Sequence, residues 1–65
     1  MKFNEFDTVV LSKDYPSEGL EKGDIGSVVM IYTEPSEAYE VEFVGDGGIT
    51  KALLALLPDE IEKYS

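Results

Sequence analysis

The sequence predicts an all-β fold, a small five-stranded barrel with little helix, and three observations carry that prediction. Tyr39-Glu40-Val41-Glu42-Phe43 alternates apolar and acidic side chains, the period of a half-buried antiparallel strand. Val28-Val29-Met30-Ile31-Tyr32 has the β-branched and aromatic composition of a central strand. Turn residues recur at short intervals, at Pro16, at Gly23 and Gly26, at Pro35 and at Gly45 to Gly48.

The elements follow in order. Met1 to Glu5 is a short lead-in, and Phe6 to Ser12 reads as the first strand. Lys13 to Lys22 is a long loop, because Pro16 holds Tyr15 extended and forbids a helix across that point. Gly23 and Gly26 flank Asp24-Ile25 and permit a sharp turn with positive φ. The second strand runs from Ile25 to Thr33, and Glu34-Pro35-Ser36-Glu37 is a turn with Pro35 suited to its second position. Ala38 to Val44 is the third strand, closed by a tight hairpin over Gly45-Asp46-Gly47-Gly48.

Ile49 to Leu57 is ambiguous. Its residues favour helix, with Thr50 a candidate N-cap. The hairpin before it asks for a returning strand, and Pro58 stops the run; the pattern favours a strand. Pro58 to Ile61 then reads as one 3-10 turn before a last short strand, Glu62-Lys63-Tyr64. The whole is a single domain, 1–65, with its core between residues 6 and 64.

Composition narrows the function. Sixty-five residues bury only about 60% of their unfolded surface, so such a domain needs ideal packing or a partner. Cysteine and histidine are both absent, which removes disulfides, thiolate metal sites and the commonest transition-metal ligand. Fourteen acidic residues face five lysines and no arginine, a net charge of −9. That balance opposes nucleic acid and anionic membranes and favours a basic protein partner. No stretch approaches the roughly 20 apolar residues of a membrane span, and no apolar segment follows Met1-Lys2-Phe3-Asn4 as in a signal peptide. A cytoplasmic location is expected.

Asp7-Thr8-Val9-Val10-Leu11, Gly19-Leu20, Gly23-Asp24-Ile25-Gly26, Val28-Val29, Tyr39 to Phe43 and the leucines before Pro58-Asp59-Glu60-Ile61 together resemble an uncharacterised bacterial domain-of-unknown-function family. The likeness covers about Phe6 to Ile61. It implies an SH3-like barrel and makes Ile49 to Leu57 a strand, and it carries no site residues. Lys22-Gly23-Asp24-Ile25-Gly26, with Val28 and Ile31, is locally similar to the KOW motif of ribosomal proteins and transcription elongation factors. Barrels of nitrile hydratase beta subunits are similar in kind. RNA-binding KOW modules carry basic loops, whereas Asp14, Glu18, Glu21 and Asp24 surround the motif here.

Catalysis is not expected. Ser12 and Lys13 are neighbours whose side chains diverge, and Glu40 and Glu42 share the solvated face of a strand. Asp46-Gly47-Gly48 lacks the acidic ladder of a calcium loop, and Gly19 to Gly26 lacks the spacing of a phosphate cradle; no cofactor and no metal are implied. Tyr15, Pro58 and Tyr64 echo the positions that line a proline-peptide groove in SH3 domains, without the tryptophan of such grooves. Leu53, Leu54, Leu56 and Leu57 supply apolar groups to both faces of one strand, so Leu54 or Leu56 is a candidate contact for a partner or for a homodimer through residues 49–57. The function expected is a non-catalytic protein-interaction or regulatory module; the alternative is a KOW-like module docking on ribosome or transcription machinery.

Overall fold

The alternation at residues 39–43 becomes a strand with Tyr39, Val41 and Phe43 buried and the two glutamates on the opposite face. Around it a computed structural model, which describes residues 2–64, places β1 (Thr8–Leu11), β2 (Ile25–Tyr32), β3 (Ala38–Val44), β4 (Thr50–Leu56) and β5 (Ile61–Lys63). Three 3-10 turns, at Pro16–Glu18, Asp46–Gly48 and Pro58–Glu60, complete the secondary structure, and there is no α-helix among the described residues. All pairings are antiparallel, in the order β4-β3-β2-β1-β5. The ambiguous run is therefore a strand, and the fold is all-β with five strands.

The sheet is not closed. β4 and β5 are its two edges and are joined through Leu57 and the last 3-10 turn rather than by a ladder. It nonetheless wraps one core, since Leu56 from one edge and Ile61 from the other belong to the same buried cluster as Val9, Leu11, Val28 and Val41.

A bulge makes that wrapping consistent. Val28 pairs with Val41, then Met30 with Glu40, which leaves Val29 as an extra residue on β2. Gly26 and Val28 point inward before it, and Ile31 packs on the core after it, opposite Tyr39. Without the insertion the inward row of β2 would continue through Met30. Gly26 lies inside β2, not in a positive-φ turn; its need is space, because a Cβ there would meet Val41 Cγ1 at 2.7 Å and the Glu42 carbonyl at 2.8 Å. Gly23, with φ of 98°, supplies the turn alone.

Other boundaries shift for local reasons. The first strand starts at Thr8 and not at Phe6, whose φ is 70°: Asp7 N–H donates to the Asn4 carbonyl while the Asp7 carboxylate accepts from Asn4 N–H, closing a turn. The long loop contains a 3-10 turn that begins at Pro16, where a missing N–H costs nothing, and Gly19 ends it in the left-handed region. Glu34–Pro35 is a cis peptide within the β2–β3 connection, and the expected tight hairpin at Gly45–Gly48 is a 3-10 turn with Gly47 and Gly48 at positive φ.

The lead-in also belongs to the core. Met1 lies outside the described residues, but Phe3 is 2% exposed and meets the Tyr39 ring edge-on at 5.1 Å. The Tyr39 hydroxyl accepts from Lys2 N–H and Phe3 N–H at 3.0 and 3.2 Å and donates to Glu37.

Candidate functional site

The aromatic groove of the sequence reading is divided by the structure. Tyr15 precedes the first 3-10 turn, and an antiparallel bridge to Leu20 fixes it there. Its hydroxyl donates to Glu60, whose other oxygen accepts the Leu57 N–H at 2.8 Å. Lys13 Nζ lies 3.5 Å from the Glu60 carboxylate and 5.1 Å from the centre of the Tyr15 ring. The hydrogen bond to Glu60, with burial and nearby negative charge, pushes the Tyr15 phenol up to about 12. Burial acts to raise the Glu60 carboxyl, but Tyr15, Leu57 and Lys13 outweigh it and hold the group below the ordinary value.

Pro58 opens the same 3-10 turn as Glu60, half-buried, with its carbonyl accepting from Lys2 Nζ at 3.2 Å. Tyr64 stands apart. It follows the far end of β5, donating its N–H to the Thr8 carbonyl, and is exposed. The backbone from Glu60 to Tyr64 spans about 13 Å of extended chain, so the structure brings Tyr15 and Pro58 to one end of β5 and Tyr64 to the other.

The leucines are sorted by pairing with β3. Leu54 lies opposite Val41 and Leu56 opposite Tyr39, both inward residues, so Leu54 packs on the core and Leu56 is 1% exposed. Leu54 and Leu56 are therefore not the outward groups of this strand. Leu53 is, at 55% exposed, paired with Glu42 and followed outward by Ala55, paired with Glu40. Leu57, just beyond the strand, is exposed as well.

These residues compose a continuous outer surface. Across β2, β3 and β4 one row reads Ser27, Glu42, Leu53 and the next Met30, Glu40, Ala55. Glu40 accepts from the Tyr32 hydroxyl at 2.8 Å and Glu42 from the Thr50 hydroxyl at 2.7 Å, which holds both carboxylates against the sheet. Beyond the row lies an edge: among the described residues, no backbone hydrogen bond outside the β3 ladder reaches Thr50–Leu56. Sequence reasoning found the strand but missed Leu53, because leucines at both parities hide which one faces out.

Elsewhere the chemistry is sparse. A hollow of about 380 Å³ beside Pro16, Gly19 and Leu20 is flanked by the carboxylates of Asp14 and Glu21. Two of the acidic groups of the KOW-like stretch hold its own backbone, Asp14 accepting from Lys22 N–H at 2.8 Å and Asp24 from Glu21 N–H at 3.1 Å. Among the described residues no three acidic, histidine or cysteine groups gather as a metal site, and no helix is long and apolar enough to cross a membrane.

Fold and surface define a small all-β module built on one open, curled antiparallel sheet. The chain belongs to the family described as Domain of unknown function (DUF4926), whose model matches residues 5–63. No curated protein and no solved structure gives a significant match.

Proposed function

We infer that the protein is a non-catalytic interaction module whose partner is another protein, basic in character. The observation that supports this best is the surface around β4, where an unpaired edge and the exposed Leu53 adjoin the carboxylates of Glu40 and Glu42. Exposed apolar groups beside an unpaired edge suit association, and a chain of net charge −9 steers basic surfaces toward itself. The role fits a cytoplasmic setting, where a cysteine-free chain needs no oxidising environment.

The experiment is affinity capture with the tagged protein beside its Leu53→Lys variant. Recovery of one protein in constant proportion by the parent, and its loss with the variant, is the expected result. Recovery unaffected by the variant would overturn the assignment to this surface. Salt-sensitive retardation of RNA or DNA by the pure protein would favour instead a KOW-like module on ribosome or transcription machinery.

A further inference from the structure

We propose that β4 receives a sixth strand, an extended segment of a partner protein in which lysine or arginine alternates with apolar residues. This rests on the reading that the protein binds another protein, and it specifies how. An antiparallel ladder spends the backbone groups of alternate residues on one neighbour, so the remaining N–H and C=O groups of β4 point away from β3. Those groups are the template for an added strand.

The two edges are not equivalent. β5 has three residues, two of them charged (Glu62 and Lys63), the blunted form of an edge. β4 has seven residues, and its single charge, Lys51, sits at a register shift near its start and pairs with Asp24 at 3.4 Å. From Ala52 to Leu56 this edge carries no charge at all.

Each face of β4 then specifies half of the alternation. On the inward face Ala52 and Leu54 remain half-buried although they pack on the core, because no strand continues the sheet past them. Apolar side chains of a sixth strand would cover them. On the outward face the added strand lies roughly 10 Å from β3, two strand spacings away. Ala55 stands between that position and Glu40, and its small side chain leaves a channel over which a lysine or arginine stem can lie. Each glutamate already accepts one hydroxyl and retains further acceptor capacity for a cation. A second copy of this chain is the poorer occupant: it brings the same net charge of −9, and its β4 offers no cation beyond Lys51.

The test uses a blocked synthetic peptide as long as β4, alternating lysine with valine, titrated into isotope-labelled protein. Expected are slowed hydrogen exchange at amides of Thr50–Leu56 and weaker binding at higher salt. Glu40→Gln and Glu42→Gln, which keep shape and fold, should each weaken the peptide about threefold, the scale of an exposed ion pair. A peptide with glutamate in place of lysine should not bind. Equal binding of the glutamate peptide, protection confined to another strand, or a concentration-dependent dimer sealed at β4 would each overturn the proposal. A captured protein partner that cross-links only outside residues 50–56 would overturn strand addition while leaving the interaction reading standing; failure of capture alone would sink that reading and not the edge.

Discussion

Tyr15 carries its hydroxyl across from the first loop to Glu60, and that bond, beside the Lys13 ion pair, ties the loop to the turn before β5. Tyr15→Phe removes the donor and leaves Glu60 with Leu57 N–H and Lys13, so unfolding free energy should fall by about 0.5–1.5 kcal/mol. The pH dependence has a definite sign. A phenol raised from 10.0 to about 12 in the fold contributes stability that is whole below pH 10.0 and is lost as pH rises through about 12. The gap between parent and Tyr15→Phe in urea midpoint should therefore narrow across that interval; a constant gap would deny the bond. Glu60, held below 4.5, acts at the other limit: its contribution is present above pH 4.5 and is lost as pH falls through the lowered value. Gly26 offers a second test, since a methyl there meets the Glu42 carbonyl at 2.8 Å inside a paired strand. Gly26→Ala should cost about 1–3 kcal/mol, the range for overpacking, read from the same denaturation midpoints.

Among the elements, β4 separates what its sequence declares from what only tertiary pairing decides. The hairpin before it and Pro58 after it make β4 legible as a strand, while leucines at both parities leave its orientation illegible; the register with Val41 and Tyr39 turns Leu54 and Leu56 inward. Leu53→Lys should consequently leave a folded protein, whereas Leu56→Lys should abolish the cooperative thermal transition. Burying a charge in place of a core leucine exceeds the few kcal/mol that hold so small a domain. A folded Leu56→Lys variant would refute the register. β3 was readable throughout because its acidic and apolar residues alternate without exception from Tyr39 to Phe43. The bulge at Val29 was not, since nothing in a run of five apolar residues marks which one is extra. Phe3 and its cover over Tyr39 escaped for another reason: the contact joins residues 36 apart, beyond any local pattern. The candidate surface was half legible, as a strand with too many leucines, and its acidic neighbours became part of it only through pairing with β3.

At the scale of the molecule the charge sets the balance. Nine excess negative charges sit on a body of 31 × 21 × 21 Å, and the ion pairs among the described residues are Lys13–Glu60 and Lys51–Asp24. Both involve well-exposed lysines, and pairs of that kind contribute little. Screening decides how far the remaining carboxylates feel one another. At 0.01 M salt the screening length is about 30 Å, the full long dimension of the protein, so nearly every carboxylate repels every other. At about 0.15 M it is about 8 Å, and only neighbours interact. Sodium chloride over that range should therefore stabilise the fold. A gain of about 1 kcal/mol would raise the thermal midpoint by about 4–8 °C in a domain this size, with most of the rise coming after the screening length has fallen below the short dimension of 21 Å. Calorimetry at several chloride concentrations measures it. A midpoint that falls with added salt would mean that attraction at Glu60 and Asp24 outweighs the repulsion, and would remove the electrostatic argument for a basic partner.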